Sequence, residues 1–125
     1  MKSRISTADA PAAIGPYSQA IRHGDLLFVS GQIPINPSTG KLVEGDITVQ
    51  TEQVLENLSA VIKAAGMDLD SILRCTCFLS DMGDFAKFNE VYGKYLGQSA
   101  PSRETVQVAR LPKDSKVEIS AICGA

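Results

Sequence analysis

The chain has 125 residues, the usual size of one domain, and 44% of them are hydrophobic, enough to bury a core and to exclude a disordered chain. Twelve basic against fourteen acidic residues give a net charge of −2, so no general positive field attracts nucleic-acid phosphates or anionic membranes. The longest apolar run, Leu26-Leu27-Phe28-Val29, is far short of a bilayer span, which excludes a membrane helix.

From the N-terminus, Met1-Lys2-Ser3-Arg4-Ile5-Ser6 carries charge with no apolar stretch behind it, so no secretory signal is read and a cytoplasmic location is expected. Gly and Pro are scattered as punctuation, and residues 1–125 are expected to form a single domain. Ser18 to Arg22 and Leu26 to Ile33 suit β-strands, and His23-Gly24-Asp25 between them predicts a hairpin, ended by Pro34 and Pro37. Asp46 is placed to cap a helix in which Ile47, Val54, Leu58, Val61, Ile62 and Ala65 recur at helical spacing, and Gly66 is its natural stop.

Ile72 to Leu79 predicts a strand with Cys75 and Cys77 on one face and Arg74 and Thr76 on the other. Asp81 or Asp84 starts a second helix, whose Phe85, Phe88, Tyr92 and Tyr95 fall on one stripe, with Gly97 after its last turn. Arg103 to Val108 and Lys116 to Ile122, joined through Arg110-Leu111-Pro112-Lys113-Asp114, read as a second, antiparallel hairpin. The order ββ, α, β, α, ββ implies an α+β layer, with both helices packed on one face of a mixed β-sheet. The uncovered sheet face then needs a partner, which three copies closing around an axis supply. A charged fraction of 21%, slightly under the usual quarter, agrees with a surface partly covered by other subunits.

The residue inventory narrows the chemistry. One histidine, His23, sits in a turn, so a serine triad and a multi-histidine metal site are both missing. Cys75, Cys77 and Cys123 are too few for a closed zinc site and odd in number for a disulfide framework, and they read as reduced, buried thiols. No phosphate-binding glycine fingerprint follows a strand, and no metal and no cofactor is demanded. Arginine, carboxylate, tyrosine, hydroxyl and backbone remain, a set suited to holding a small anion and moving a proton. Arg103 stands out at the start of a strand, and Glu118 interrupts an apolar run between Val117 and Ile119. Antiparallel pairing of the last two strands would place Glu118 within a few residues of Arg103. On pattern alone, exposed strand charges are the ordinary reading of both.

More specific are Ala-Ile-Gly-Pro-Tyr-Ser-Gln-Ala (13 to 20), Ser-Gly-Gln-Ile-Pro-Ile-Asn-Pro-Ser-Thr-Gly (30 to 40), Gln-Thr-Glu-Gln-Val-Leu-Glu-Asn-Leu (50 to 58), Phe-Leu-Ser-Asp-Met-Gly-Asp-Phe (78 to 85), and Pro-Ser-Arg with Val-Ala-Arg-Leu-Pro-Lys-Asp (101 to 103, 108 to 114). From about Ile5 to Ile122 the chain resembles the Rid family, also called YjgF or endoribonuclease L-PSP. The resemblance implies a chorismate-mutase-like fold, a homotrimer with active sites between subunits, and hydrolytic deamination of 2-imino acids or their enamines, such as 2-iminopropanoate and 2-iminobutanoate, to 2-oxo acids and ammonia. It also implies a functional link to the pyridoxal-phosphate dehydratases that release such imines.

By the same resemblance Arg103 clamps the substrate carboxylate, Glu118 handles water and protons, and the backbone around Thr105 helps to hold the water. Tyr17, Ser30 and Gly31 line the cleft from the neighbouring subunit, with Asn89 near another lining position. Each keeps an ordinary alternative: an interface aromatic for Tyr17, a close-approach turn for Ser30-Gly31, a polar helix residue for Asn89. Thr105 stands where many relatives carry cysteine. Glu104 follows Arg103 where a small residue is usual, and alternation should turn it away from the cleft. The segment before Pro101 is shorter than in many members, with Ala100 in place of a bulky apolar residue. Two other functions stay in view, an RNA-cleaving translation inhibitor and a non-catalytic ligand-binding or chaperone-like trimer. Negative net charge and the absence of Trp disfavour nucleic acid as a partner.

Overall fold

The computed structural model describes residues 1–125 and contains, in chain order, β1 (Lys2–Ile5), β2 (Ala20–His23), β3 (Leu26–Gln32), α1 (Ile47–Ala64), β4 (Ile72–Leu79), α2 (Phe85–Leu96), β5 (Ser102–Gln107) and β6 (Val117–Gly124). Hydrogen bonding orders the strands β1-β2-β3-β6-β4-β5 in one sheet. Every pairing is antiparallel except β4 with β5, so the sheet is mixed.

The predicted second hairpin is absent. β5 and β6 are not neighbours, because β4 lies between them, pairing parallel with β5 and antiparallel with β6. The reason is the intervening helix: α2 carries the chain back along β4, and a strand entered after such a crossover runs parallel to the one before it. The loop 108–116 then crosses the end of β4 and inserts β6 beside β3. Burial patterns agree with these positions. Val117, Ile119, Ala121 and Cys123 of β6 are all buried, whereas β5 has no buried residue, as befits an edge. The strand β1 was not foreseen, and it forms the opposite edge.

Alternation separates the two faces. Leu27 and Val29 of β3, Cys75, Cys77 and Leu79 of β4, and the buried set of β6 share one core with Val54, Leu58, Val61 and Ile62 of α1 and Phe88, Val91, Tyr92 and Leu96 of α2. Both helices therefore cover the same face, as predicted. The Asp46 carboxylate accepts the Val49 amide hydrogen at 3.1 Å to start α1, and Gly66 beyond its end has φ +79, a conformation open to glycine. At α2, Asp81 caps the short turn before the helix by accepting from the Gly83 amide at 2.8 Å, and Asp84 at the N-cap makes no side-chain cap. Gly97 stays right-handed, and the left-handed residue is Ala100, with φ 44.

The other face carries no helix. Leu26, Phe28, Leu73 and Val106 there are 40–53% exposed, an apolar surface of large side chains facing out of the protomer.

Candidate active site

The sequence-predicted residues gather in two groups. The first forms on the open face, where β3 bulges: Val29 to Gln32 takes three steps opposite the two from Ala121 to Ile119 of β6. Gly31 lies in this bulge against Glu118. A Cβ on Gly31 would overlap the carboxylate oxygen Oε2, with Cδ at 2.9 Å and Cγ at 3.1 Å. Glycine is thus the residue that lets the chain pass over the carboxylate. Glu118 is half-covered and has no cationic or hydrogen-bond partner, and burial pushes its pKa above the ordinary 4.5.

Tyr17 belongs to the same group. Buried Gln19 braces the preceding loop, its Oε1 accepting from the Thr7 amide at 2.7 Å and its Nε2 donating to the Thr7 and Pro11 carbonyls at 3.0 and 2.8 Å. The loop then turns at Gly15, φ +119, and delivers Tyr17 more than half exposed. Tyr17 and Gly31 line one cavity of about 300 Å³, with Pro112 and Lys113 across it. Ser30 is committed to structure: its hydroxyl donates to the Ser18 carbonyl at 2.6 Å, and its amide donates to the Gln19 carbonyl.

The second group sits at the β5 edge, on the helix side of the sheet. Arg103 is in register with buried Cys75, and Thr105 with buried Cys77. The Arg103 guanidinium lies over the rings of Phe85, Phe88 and Tyr92, with Cζ 5.6, 5.9 and 4.7 Å from their centroids, and donates from Nη1 to Asn89 Oδ1 at 2.7 Å. No carboxylate pairs with it, and its Nε and Nη2 make no hydrogen bond within the protomer. That leaves a planar edge free to take a carboxylate through both oxygens. Glu104 does point away, pairing with Arg74 on the open face. Thr105 Oγ1 is buried and makes no geometric hydrogen bond, with the Cys77 thiol beside it. Burial pushes the Cys77 thiol up to about 12, which makes it an inert core group.

The expected closeness of Arg103 and Glu118 is corrected. Glu118 is in register with Phe78 on the open face, whereas Arg103 lies on the helix side one strand beyond β4. The sheet stands between them within one chain. Of the seven sequence-predicted residues, Arg103, Asn89 and Thr105 come together, and Tyr17, Ser30, Gly31 and Glu118 come together elsewhere. The aromatic bed under Arg103 is not foreseen from the sequence, in which Phe85, Phe88 and Tyr92 mark only a helical stripe. Its signal lay in the spacing Phe85, Phe88, Asn89, Tyr92, which sets Asn89 on the aromatic stripe.

Comparisons with known proteins extend over nearly the whole chain. The profile of the endoribonuclease L-PSP family matches residues 7–124. A chloroplastic Reactive Intermediate Deaminase A of Arabidopsis thaliana is 47% identical over 121 residues, covering 97% of this chain and 65% of that protein. The solved structure of a Yersinia pestis protein of the conserved Rid protein family superposes with a TM-score of 0.97 at 48% identity and full coverage of both chains. That of Escherichia coli TdcF with bound serine gives 0.94 at 44% identity, covering 98% of each chain.

Proposed function

Starting from the fact that this chain belongs to the endoribonuclease L-PSP, or Rid, family, we propose that it hydrolyses 2-imino acids and their enamine tautomers to 2-oxo acids and ammonia, in clefts formed between the subunits of a homotrimer. The observation that carries this reading is the division of labour between two groups of residues. An unpaired guanidinium with a free planar edge lies on one side of the sheet, and a half-buried carboxylate with a raised pKa lies on the other. Each protomer offers one half of a site, and a neighbour completes it.

In the completed cleft Arg103 holds both carboxylate oxygens of the substrate, which fixes the adjacent C=N carbon in orientation. Glu118 takes a proton from water as the oxygen attacks the carbon of the protonated imine, giving a neutral tetrahedral carbinolamine. The same carboxyl returns that proton to nitrogen, and as the C–N bond breaks the carboxylate takes the proton of the carbinolamine hydroxyl, so that ammonia leaves, the carbonyl of the 2-oxo acid forms and the proton passes from Glu118 to solvent. A carboxyl with a raised pKa is matched to this double duty, because it both accepts and releases the proton readily. Tyr17 closes the cleft beside Gly31. The bound serine of TdcF, a small molecule with one carboxylate, is of the class this arrangement recognises.

The ribonuclease reading has no comparable support, since the apolar open face and the net charge of −2 do not provide a basic track for a phosphate backbone. The test couples the purified protein to a pyridoxal-phosphate threonine or serine dehydratase and follows 2-oxo acid release. Acceleration over buffer that Arg103→Ala abolishes is expected. No acceleration with several amino-acid-derived imines, from a trimer shown to be intact, would favour the non-catalytic binding reading.

A further inference from the structure

Resting on Arg103 as carboxylate receptor, we propose that Tyr92 is a positioning residue, whose ring holds the guanidinium flat and aimed so that only its free edge meets the substrate. The geometry points to this role from three directions. Tyr92 is the nearest of the three rings, 4.7 Å from Arg103 Cζ, within the range where the ring quadrupole attracts a cation. Asn89, one helical step away on the same stripe, occupies Nη1 through Oδ1 at 2.7 Å. Face and one corner are therefore held, and Nε and Nη2 stay open.

The third direction is the seat of the ring. Tyr92 is 7% exposed, and its phenol oxygen is buried beside the Cys75 thiol without making a hydrogen bond. Cys75 is the register partner of Arg103. The far end of the ring thus packs against the strand position beside the arginine, which sets ring and guanidinium against each other.

An arginine on an exposed edge strand otherwise loses several rotatable bonds of freedom when it grips a ligand. Confining it beforehand on the helix removes much of that cost, and affinity for the carboxylate rises accordingly. The aromatic stripe of α2 is therefore a receptor wall as well as a core layer.

The experiment compares wild type, Y92F, Y92L and each change combined with R103A, using pyruvate as probe, with calorimetry for affinity and imine turnover for KM and kcat. Y92L is expected to weaken pyruvate binding by roughly fivefold to thirtyfold, the range of a cation–π contact that is desolvated once the cleft and its ligand cover a guanidinium exposed in the protomer. KM should rise more than kcat falls. Y92F, which keeps the face, should bring affinity back to within about twofold, and in the R103A background Y92L should add nothing. A second readout needs no substrate. The Arg103 Nε–H resonance, assigned by its loss in R103K, should lie upfield of the other four arginines through the ring current and move downfield in Y92L. Unchanged pyruvate affinity in folded Y92L, a further loss in the R103A background, or an Arg103 resonance indifferent to Tyr92 would each overturn the proposal. If the wild type neither binds pyruvate nor hydrolyses imines, the functional reading fails, and the resonance alone decides whether the ring holds the arginine.

Discussion

A methyl group on Gly31 would occupy the place of the Glu118 carboxylate, and the obstructed atoms are the far end of a flexible side chain. Gly31→Ala should therefore leave the fold intact and swing the carboxylate aside. Stability is expected to change by about 1 kcal/mol or less, whereas turnover should fall roughly a hundredfold, the penalty for misplacing a reacting group by an ångström. Thermal melts together with imine turnover separate the two effects. Glu118 itself should show opposite effects on activity and stability. Its folded pKa is raised above 4.5 by burial, so the folded state binds the proton more tightly than the unfolded chain does. Stability from this group is fully present below its ordinary pKa and declines as pH rises through the folded value. Glu118→Gln, which cannot ionise, should match wild type in denaturant unfolding at about pH 4 and exceed it at about pH 7, while losing hydrolysis at both. In wild type the rate should climb with pH through a pKa above the usual glutamate range, as a base that must be deprotonated requires.

Among the elements, the turn from α2 into β5 bears the clearest strain. Ala100 has φ 44 immediately before Pro101, and a residue with a Cβ is disfavoured there by its own side chain and by the proline ring that follows. Only Gly97 to Pro101 connect the end of α2 to the start of β5. Few residues are available to reverse the chain, and the Ala100 amide still donates to the Leu96 carbonyl at 2.8 Å to close the helix end. Ala100→Gly should stabilise the protein by about 0.5–1 kcal/mol, because relief of strain exceeds the added backbone entropy of the unfolded chain. Urea unfolding gives the measurement. Its effect on activity should be small if the anchoring of Arg103 on α2 is independent of that turn. Alternation also governs β5: the same period of two that seats Arg103 beside the rings of α2 sends Glu104 to Arg74 on the other face, so the acidic neighbour lies away from the guanidinium.

At the scale of the whole molecule, the apolar open face and the split site make the same demand for a neighbour. Phe28, Leu73 and Val106 are left uncovered on the face that also bears Glu118. Closing three copies about an axis would bury that surface and bring an Arg103 from one chain to the Glu118 of the next. A mixing experiment tests this. Arg103→Ala and Glu118→Ala, each inactive alone, are unfolded and refolded together in equal amounts. With random assortment a given cleft draws both intact residues with a chance of one half times one half, so about a quarter of wild-type activity should return. If one chain supplied both residues, mixing would restore nothing. Mass spectrometry of mixed trimers verifies the exchange.

Local periodicity made much of this architecture legible in the sequence. The Asp46 cap and Gly66 stop bounded α1, the apolar stripe located α2, and alternation identified β3, β4 and β6, because each signal is carried by residues a few positions apart. The candidate site residues were picked out by their motifs, and the strand face of Arg103 was legible through alternation. What only the tertiary structure decided was which strands are neighbours. Pairing of β5 with β4, and insertion of β6 between β3 and β4, depends on the crossover made by α2 and on the burial of β6 on the core, neither of which is encoded in a window of ten residues. That decision moved Glu118 and Arg103 from adjacent strands to opposite faces of the sheet, and so turned a pair expected on neighbouring strands into two separate groups, which the proposed function joins through a second chain. The same folding step laid the stripe of α2 under Arg103, because a helix that crosses over from β4 to β5 packs on the face where Arg103 emerges.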